Sequence, residues 1–177
     1  VLRMSGQELA DRLEKEAHRL AHHFYEAQDH GKALKYYTMA GDAAVRVYAN
    51  TEAIAHYMCA LEIAPLANAD SAQWIHLYTS LGRTQELCGQ YDEALVTYEQ
   101  LEALAHAENT PALELAAILP QATVYSTFNV KFDPQRGREL AERALSLARK
   151  LHDQRAEARA FWNMALLEGY FIYDLER

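Results

Sequence analysis

The residues best suited to chemistry in this 177-residue chain are histidines. His18 and His22 stand four apart, with His23 beside them. Two imidazoles at that spacing share one face of a helix and could hold a metal ion between them. A working site needs a third or fourth ligand, and no Cys, Asp or Glu completes a recognised spacing; His-Glu-x-x-His is absent. The pair therefore reads as polar residues on a helix face, and neither metal nor cofactor is expected. Carboxylates such as Asp92, Glu93, Glu99 and Glu102 lie among Ala and amide residues. General acid–base work needs convergent, desolvated placement, which no spacing here provides. Glycine-rich phosphate loops and a Gly-x-Ser-x-Gly elbow are also missing. Catalysis by this stretch of chain is not expected.

The elements that must carry these residues are helices. Thirty-one Ala and 23 Leu outnumber 6 Val and 5 Ile, while Gly and Pro contribute only 7 and 4. That balance favours an all-α fold over strands or disorder. The net charge of −8 opposes binding to nucleic-acid phosphates or anionic membranes. The nearest basic cluster, Arg136, Arg138, Arg143, Arg149 and Lys150, is diluted by Glu139 and Glu142. Two cysteines, Cys59 and Cys88, form no framework and suit a reducing compartment. No apolar run reaches the roughly 18 residues of a membrane span, and no signal-peptide core is visible, so a cytoplasmic location is expected. The opening Val1 reads as the start of a piece of something longer.

A short pattern recurs: a small residue, an aromatic four later, and a small residue three after that. It appears as Ala33, Tyr37, Ala40 and as Ala53, Tyr57, Ala60, then more loosely as Ala94, Tyr98, Leu101 and Gly137, Ala141, Ala144. These spacings place each set on one helical face, where small residues admit a neighbouring helix and the aromatic fills the gap. Ala21 and Gly82 each precede their copy by 12 residues, and Pro65 follows Ala53 by 12. In this order the residues resemble the tetratricopeptide repeat family. The resemblance implies a right-handed superhelix of about eight antiparallel helices. The anchors step by about 20, 41 and 43 residues where the family repeats every 34 or so, which predicts long helices or a merged first pair.

Punctuation gives the boundaries. Ser5-x-x-Glu8 reads as a capping box for a first helix running to about Gln28, and Asp29-His30-Gly31 as a turn before a helix from Lys32. Asn50 and Thr51 suggest the next stop and cap. Pro65 ends a third helix, Asp70 or Ser71 caps a fourth, Gly89 closes it, and Asp92 falls at the start of a fifth. Thr110-Pro111 and Asp133-Pro134 each pair a cap with a first-turn proline, and Asp153 caps the last helix. Pro120 should kink or split the sixth. The expected domain is one solenoid fragment over 1–177, with hairpins at 5–48, 51–89, 91–131 and 134–177.

Residues 20–62 carry a sharper likeness. Leu20-Ala21-His22-His23-Phe24-Tyr25-Glu26-Ala27, Lys32-Ala33-Leu34-Lys35-Tyr36-Tyr37, Ala40-Gly41-Asp42-Ala43-Ala44 and Tyr48-Ala49-Asn50-Thr51-Glu52-Ala53, closing on His56-Tyr57 and Ala60-Leu61, resemble the helical-repeat arm of STAND-type regulators. The resemblance implies neighbouring NTPase and effector domains, either a nucleotide cyclase or a DNA-binding module. It also implies a groove lined by the first helix of each hairpin. Lys15, His18, His22 and Tyr25 come from the first hairpin, and His76, Thr79, Arg83 and Glu86 from the third copy of the signature. Ser126 and Asn129 follow, then Arg159 and Trp162. Lys15 and Arg83 alone do not reproduce the ordered Lys, Asn and Arg set that clamps a C-terminal carboxylate.

The expected function is protein–protein interaction, as the sensor or regulatory arm of a multidomain signalling protein, with a protein or peptide partner or neighbouring domains of the same chain. The alternative is a small-molecule (inducer) sensing arm with a pocket among Tyr25, His76 and Trp162. Phe161, Trp162, Met164, Leu166, Leu167 and Phe171 crowd the C-terminal edge, which should promote self-association or need covering by a further repeat.

Overall fold

The computed structural model describes residues 16–174, with side chains to Gly169. The capping box at Ser5 and the side chain of Lys15 lie outside the described residues, as does the side chain of Phe171. All regular structure among the described residues is helical. The helices are α1 (Ala17–Glu26), α2 (His30–Arg46), α3 (Asn50–Ile63), α4 (Ser71–Leu87), α5 (Tyr91–Glu108), α6 (Pro111–Ser126), α7 (Pro134–Leu151) and α8 (Gln154–Asp174). None is long and apolar enough to cross a membrane.

The chain forms two compact units that meet in sequence at Gly89 and Gln90. In the first, α1 packs on α2, α2 on α3, and α3 on α4. In the second, α5 packs on α6, α6 on α7, and α7 on α8, with α6 also touching α8. Helix α2 thus serves two neighbours at once; it carries the first copy of the repeated pattern, and α3 carries the next.

Each copy of that pattern is a packing seam. Ala33 and Ala40 are buried and Tyr37 is half-buried; Ala53, Tyr57 and Ala60 are fully enclosed, as are Ala94, Tyr98 and Leu101. Gly137, Ala141 and Ala144 are buried against α6 and α8, whose Leu115, Ile118, Ala122, Ala156 and Ala160 complete the core of the second unit. Small side chains bring the helix backbones together, so aromatic rings and leucines between them lose nearly all exposure to water. The approach is closest at two glycines. A Cβ on Gly41 would stand 2.6 Å from the Tyr57 ring, and one on Gly137 would stand 2.6 Å from Ser126 Oγ.

Several helix ends differ from the sequence expectation. Asp29 is itself the cap: it accepts the Lys32 N–H at 3.1 Å, so α2 begins at His30 and the turn is shorter than expected. Asn50 opens α3 as its first helical residue, because left-handed Tyr48 reverses the chain early and leaves Ala49 at the cap. Thr110 occupies the cap of α6, yet its hydroxyl turns back to the Glu108 carbonyl. Pro120 does not split α6, which stays helical from Pro111 to Ser126. Asp70 with Gln73 forms a reciprocal capping box on α4. Asp133 caps α7 through the Arg136 N–H, and Asp153 accepts from Arg155 and Ala156 at the start of α8.

Candidate functional site

The polar group that draws most of the first unit together is built on three helices. Asp42 projects from α2, Tyr57 from α3 and His76 from α4. Asp42 Oδ1 accepts the Tyr57 hydroxyl at 2.7 Å and bonds His76 Nε2 at 2.9 Å. The Tyr57 ring meets the imidazole edge-on at 6.4 Å. Local sequence explains the arrangement: Gly41, bare of a side chain, lets the Tyr57 ring lie against α2, which aims the phenol at the next residue, Asp42.

Electrostatics follow from that geometry. Burial works to raise the Asp42 carboxyl, but the bonds from His76 and Tyr57, with His76 and Arg46 nearby, outweigh it and hold the group below the ordinary carboxylate range. His76 is raised, first by its bond to Asp42 and against the pull of burial. Tyr57 is pushed far up by burial and then by its carboxylate partner, and stays a neutral donor. Asp42 and His76 keep 34% and 47% of their side-chain exposure, so the pair is partly open to solvent.

The second unit has a corresponding group on α5, α6 and α7. Arg143 Nη2 bridges Glu102 at 2.7 Å and Glu114 at 2.5 Å. Gln121, itself buried, donates to Glu102 at 3.0 Å. Burial works to raise Glu102, but Gln121 and Arg143 outweigh it and hold the carboxyl below its usual range. Burial also opposes the charge on Arg143, and its two carboxylate partners more than restore it.

The expected groove residues divide between the units. His18 is exposed and stacks on His56 at 6.2 Å, and His56 also approaches Tyr37. Burial, then His18, lowers the His56 imidazole. His22 is exposed beside His23, and Tyr25 is exposed with its ring edge toward His30. Thr79 turns its hydroxyl to the Ile75 carbonyl at 2.6 Å, a local helix bond. Arg83 is exposed and pairs with Glu86, whose own side chain is largely covered. Tyr25 and His76 belong to the first unit and Trp162 to the second.

Two expected groove residues are corrected. Ser126 was placed on an open face; it is fully buried where Gly137 brings α7 against the end of α6. Asn129 belongs to the connection after α6, where its amide donates to the Val124 carbonyl at 2.7 Å and accepts from the Lys131 N–H. Arg159 and Trp162 are exposed on α8. The apolar C-terminal edge is also divided: Leu167 is buried, Met164 packs on the core and Leu166 is half-buried, which leaves Phe161 and Trp162 open. Arg149 lies over the Phe161 ring.

Asp42, Tyr57 and Glu102 are not residues that the sequence pattern marks as a site. The signal for Asp42 was its separation of 34 residues from His76, about one repeat length of the family the chain resembles. Among the described residues no group of three His, Cys, Asp or Glu is placed to hold a metal ion. Comparison with protein-family models gives no match, and no curated protein matches the chain.

Proposed function

We propose that this chain is a tetratricopeptide-like helical-repeat module that binds a protein or peptide partner, as the sensor or regulatory arm of a larger signalling protein. The observation that carries the reading is the repeated seam. The same small–aromatic–small spacing is buried in successive helix pairs, while charged and polar side chains are left on the remaining faces. Stacked pairs of this kind gain stability from their neighbours and offer an extended surface for binding. In a right-handed superhelical stack, Asp42, His76 and Arg83 would share the groove, with cytoplasmic partners or adjoining domains as its occupants. ATPase or cyclase activity, in such a protein, would reside in those adjoining domains.

Fluorescence anisotropy with defined acidic, basic and apolar ten-residue peptides tests this reading. Binding by at least one class, weakened about tenfold or more by Arg83→Glu, supports it. That loss corresponds to about 1.4 kcal/mol. Equal, weak signals from all classes, unchanged by the substitution, would remove the groove assignment. A small-molecule-sensing arm is the second reading, favoured by the half-open carboxylate and imidazole of Asp42 and His76, backed by the buried Tyr57 phenol, a set able to orient a small polar ligand. A thermal-shift screen of polar metabolites, repeated with Asp42→Asn, separates the two.

A further inference from the structure

We propose that the Asp42–His76 bond is a proton-operated latch, which ties α4 to α2 past α3 and tightens when the surroundings acidify. The acceptor is placed in advance. Tyr57 is almost fully buried, its ring lies against Gly41, and its hydroxyl holds Asp42 Oδ1 at 2.7 Å. The same oxygen meets His76 Nε2 at 2.9 Å. A neutral imidazole can donate from Nε2 to the ionised carboxylate, but protonation fixes Nε2 as a donor and adds the attraction of opposite charges. The contact therefore changes strength without losing its geometry.

Among the groups around His76, Asp42 favours this response and outweighs the burial that opposes it. On α2 the charged neighbour is Asp42, and Arg46 acts on Asp42 and on Tyr57. On α3 the facing group is Tyr57, which remains neutral. On α4 itself, Thr79 is engaged with the Ile75 carbonyl. Because His76 titrates above its ordinary value of about 6.5, its contribution is complete below that pH. It fades as pH rises through the folded-state value. Asp42 stays charged through this range, since its carboxyl is held low.

His56, on α3, responds in the opposite sense. It is half-buried against His18 and Tyr37 and lowered by burial, so acid weakens its packing. The melting temperature of the whole chain therefore blends two opposed effects, and the test must isolate His76. Proton NMR of the imidazole Cε1–H signals, with His76→Gln for assignment, reads the residue directly. The latch predicts a His76 midpoint above that of a free imidazole, returning toward it in Asp42→Asn.

It also predicts that the melting gap between wild type and His76→Gln is about 1–3 °C near pH 6 and shrinks by more than half at pH 8.5. In an Asp42→Asn background the gap should not depend on pH. Asparagine keeps an acceptor for Tyr57, so the fold has a means to persist. A His76 midpoint unmoved by Asp42→Asn, or a gap equal at both pH values, overturns the proposal. Peptide binding plays no part in either readout, so the latch stands or falls separately from the groove.

Discussion

In the first unit a carboxylate on α2 reaches an imidazole on α4; in the second a guanidinium on α7 reaches a carboxylate on α5. Both clasps join helices two apart and enlist a side chain from the helix between them, Tyr57 in one and Gln121 in the other. Both accompany a buried seam with an aromatic ring at its centre. The cation differs. Arg143 stays charged at any pH a protein meets, and two carboxylates hold it. His76 changes charge in the physiological range and has one carboxylate, shared with a phenol. Similar packing thus leaves one unit with a fixed fastening and the other with an adjustable one.

The severest challenge to this comparison is removal of the ring from each seam. Tyr57→Ala and Tyr98→Ala each delete a side chain that is about 1% exposed, which should cost about 3–5 kcal/mol. Hydrogen exchange read by mass spectrometry should show the loss of protection concentrated in the substituted unit. If both units open equally in either variant, they do not behave as separate bodies.

Next in size is Gly41→Ala. Its Cβ meets three ring atoms of the enclosed Tyr57 within 2.9 Å, so a cost of about 1–3 kcal/mol is expected from urea unfolding. Gly137→Ala should cost less, because the Ser126 hydroxyl can rotate away, although the backbone at 3.2 Å must still give slightly. The reverse order would mean that α2 and α3 are looser than the ring contact implies.

Arg143→Met should cost about 1–2 kcal/mol, modest because the guanidinium is 40% exposed. Glu102 is held below its usual range, so its share of this stability is present above about pH 4.5 and disappears as pH falls through the folded-state value. Between pH 6 and 8.5 the Arg143→Met gap should therefore stay flat, in contrast to the gap for His76→Gln. Paired melting curves at the two pH values decide whether the fastenings differ as described.

The smallest effect has the opposite sign. The side-chain amide of Asn163 is buried on α8 with neither end bonded to protein. Asn163→Leu, close in volume, should leave stability within about 1 kcal/mol of wild type or raise it. A drop beyond 2 kcal/mol would show that the amide satisfies a polar neighbour.

Much of the helical framework was legible in the sequence because its signals are local. Asp70 with Gln73, Asp133 before Pro134 and the small–aromatic–small spacing all act within a turn or two of their own helix. The start of α2 was misjudged because Asp29 caps the helix from within the expected turn, and that of α3 because the left-handed backbone at Tyr48, and no side chain, sets the boundary. His76 was recognisable as a candidate, but Asp42 was not. The bond between them spans 34 residues, and hydrophobic periodicity carries no information about which polar groups meet across helices. Ser126 was misplaced for a related reason: a hydroxyl near a helix end looks solvated until the glycine opposite it is known to bring a backbone close.

Connections between the helices have a consequence for engineering. Of the seven, six contain a residue in the left-handed region: Gln28, Tyr48, Asn68, Gly89, Asn109 and His152. Only one of these is glycine, and Tyr48, 88% exposed, makes its turn with a bulky aromatic. L-residues pay about 1–2 kcal/mol for that conformation, partly offset by their smaller entropy when unfolded. The turns therefore hold a reserve of stability outside the core. A thermostabilised variant could be sought by placing glycine or asparagine at Gln28, Tyr48 and His152, leaving every seam and both clasps unaltered.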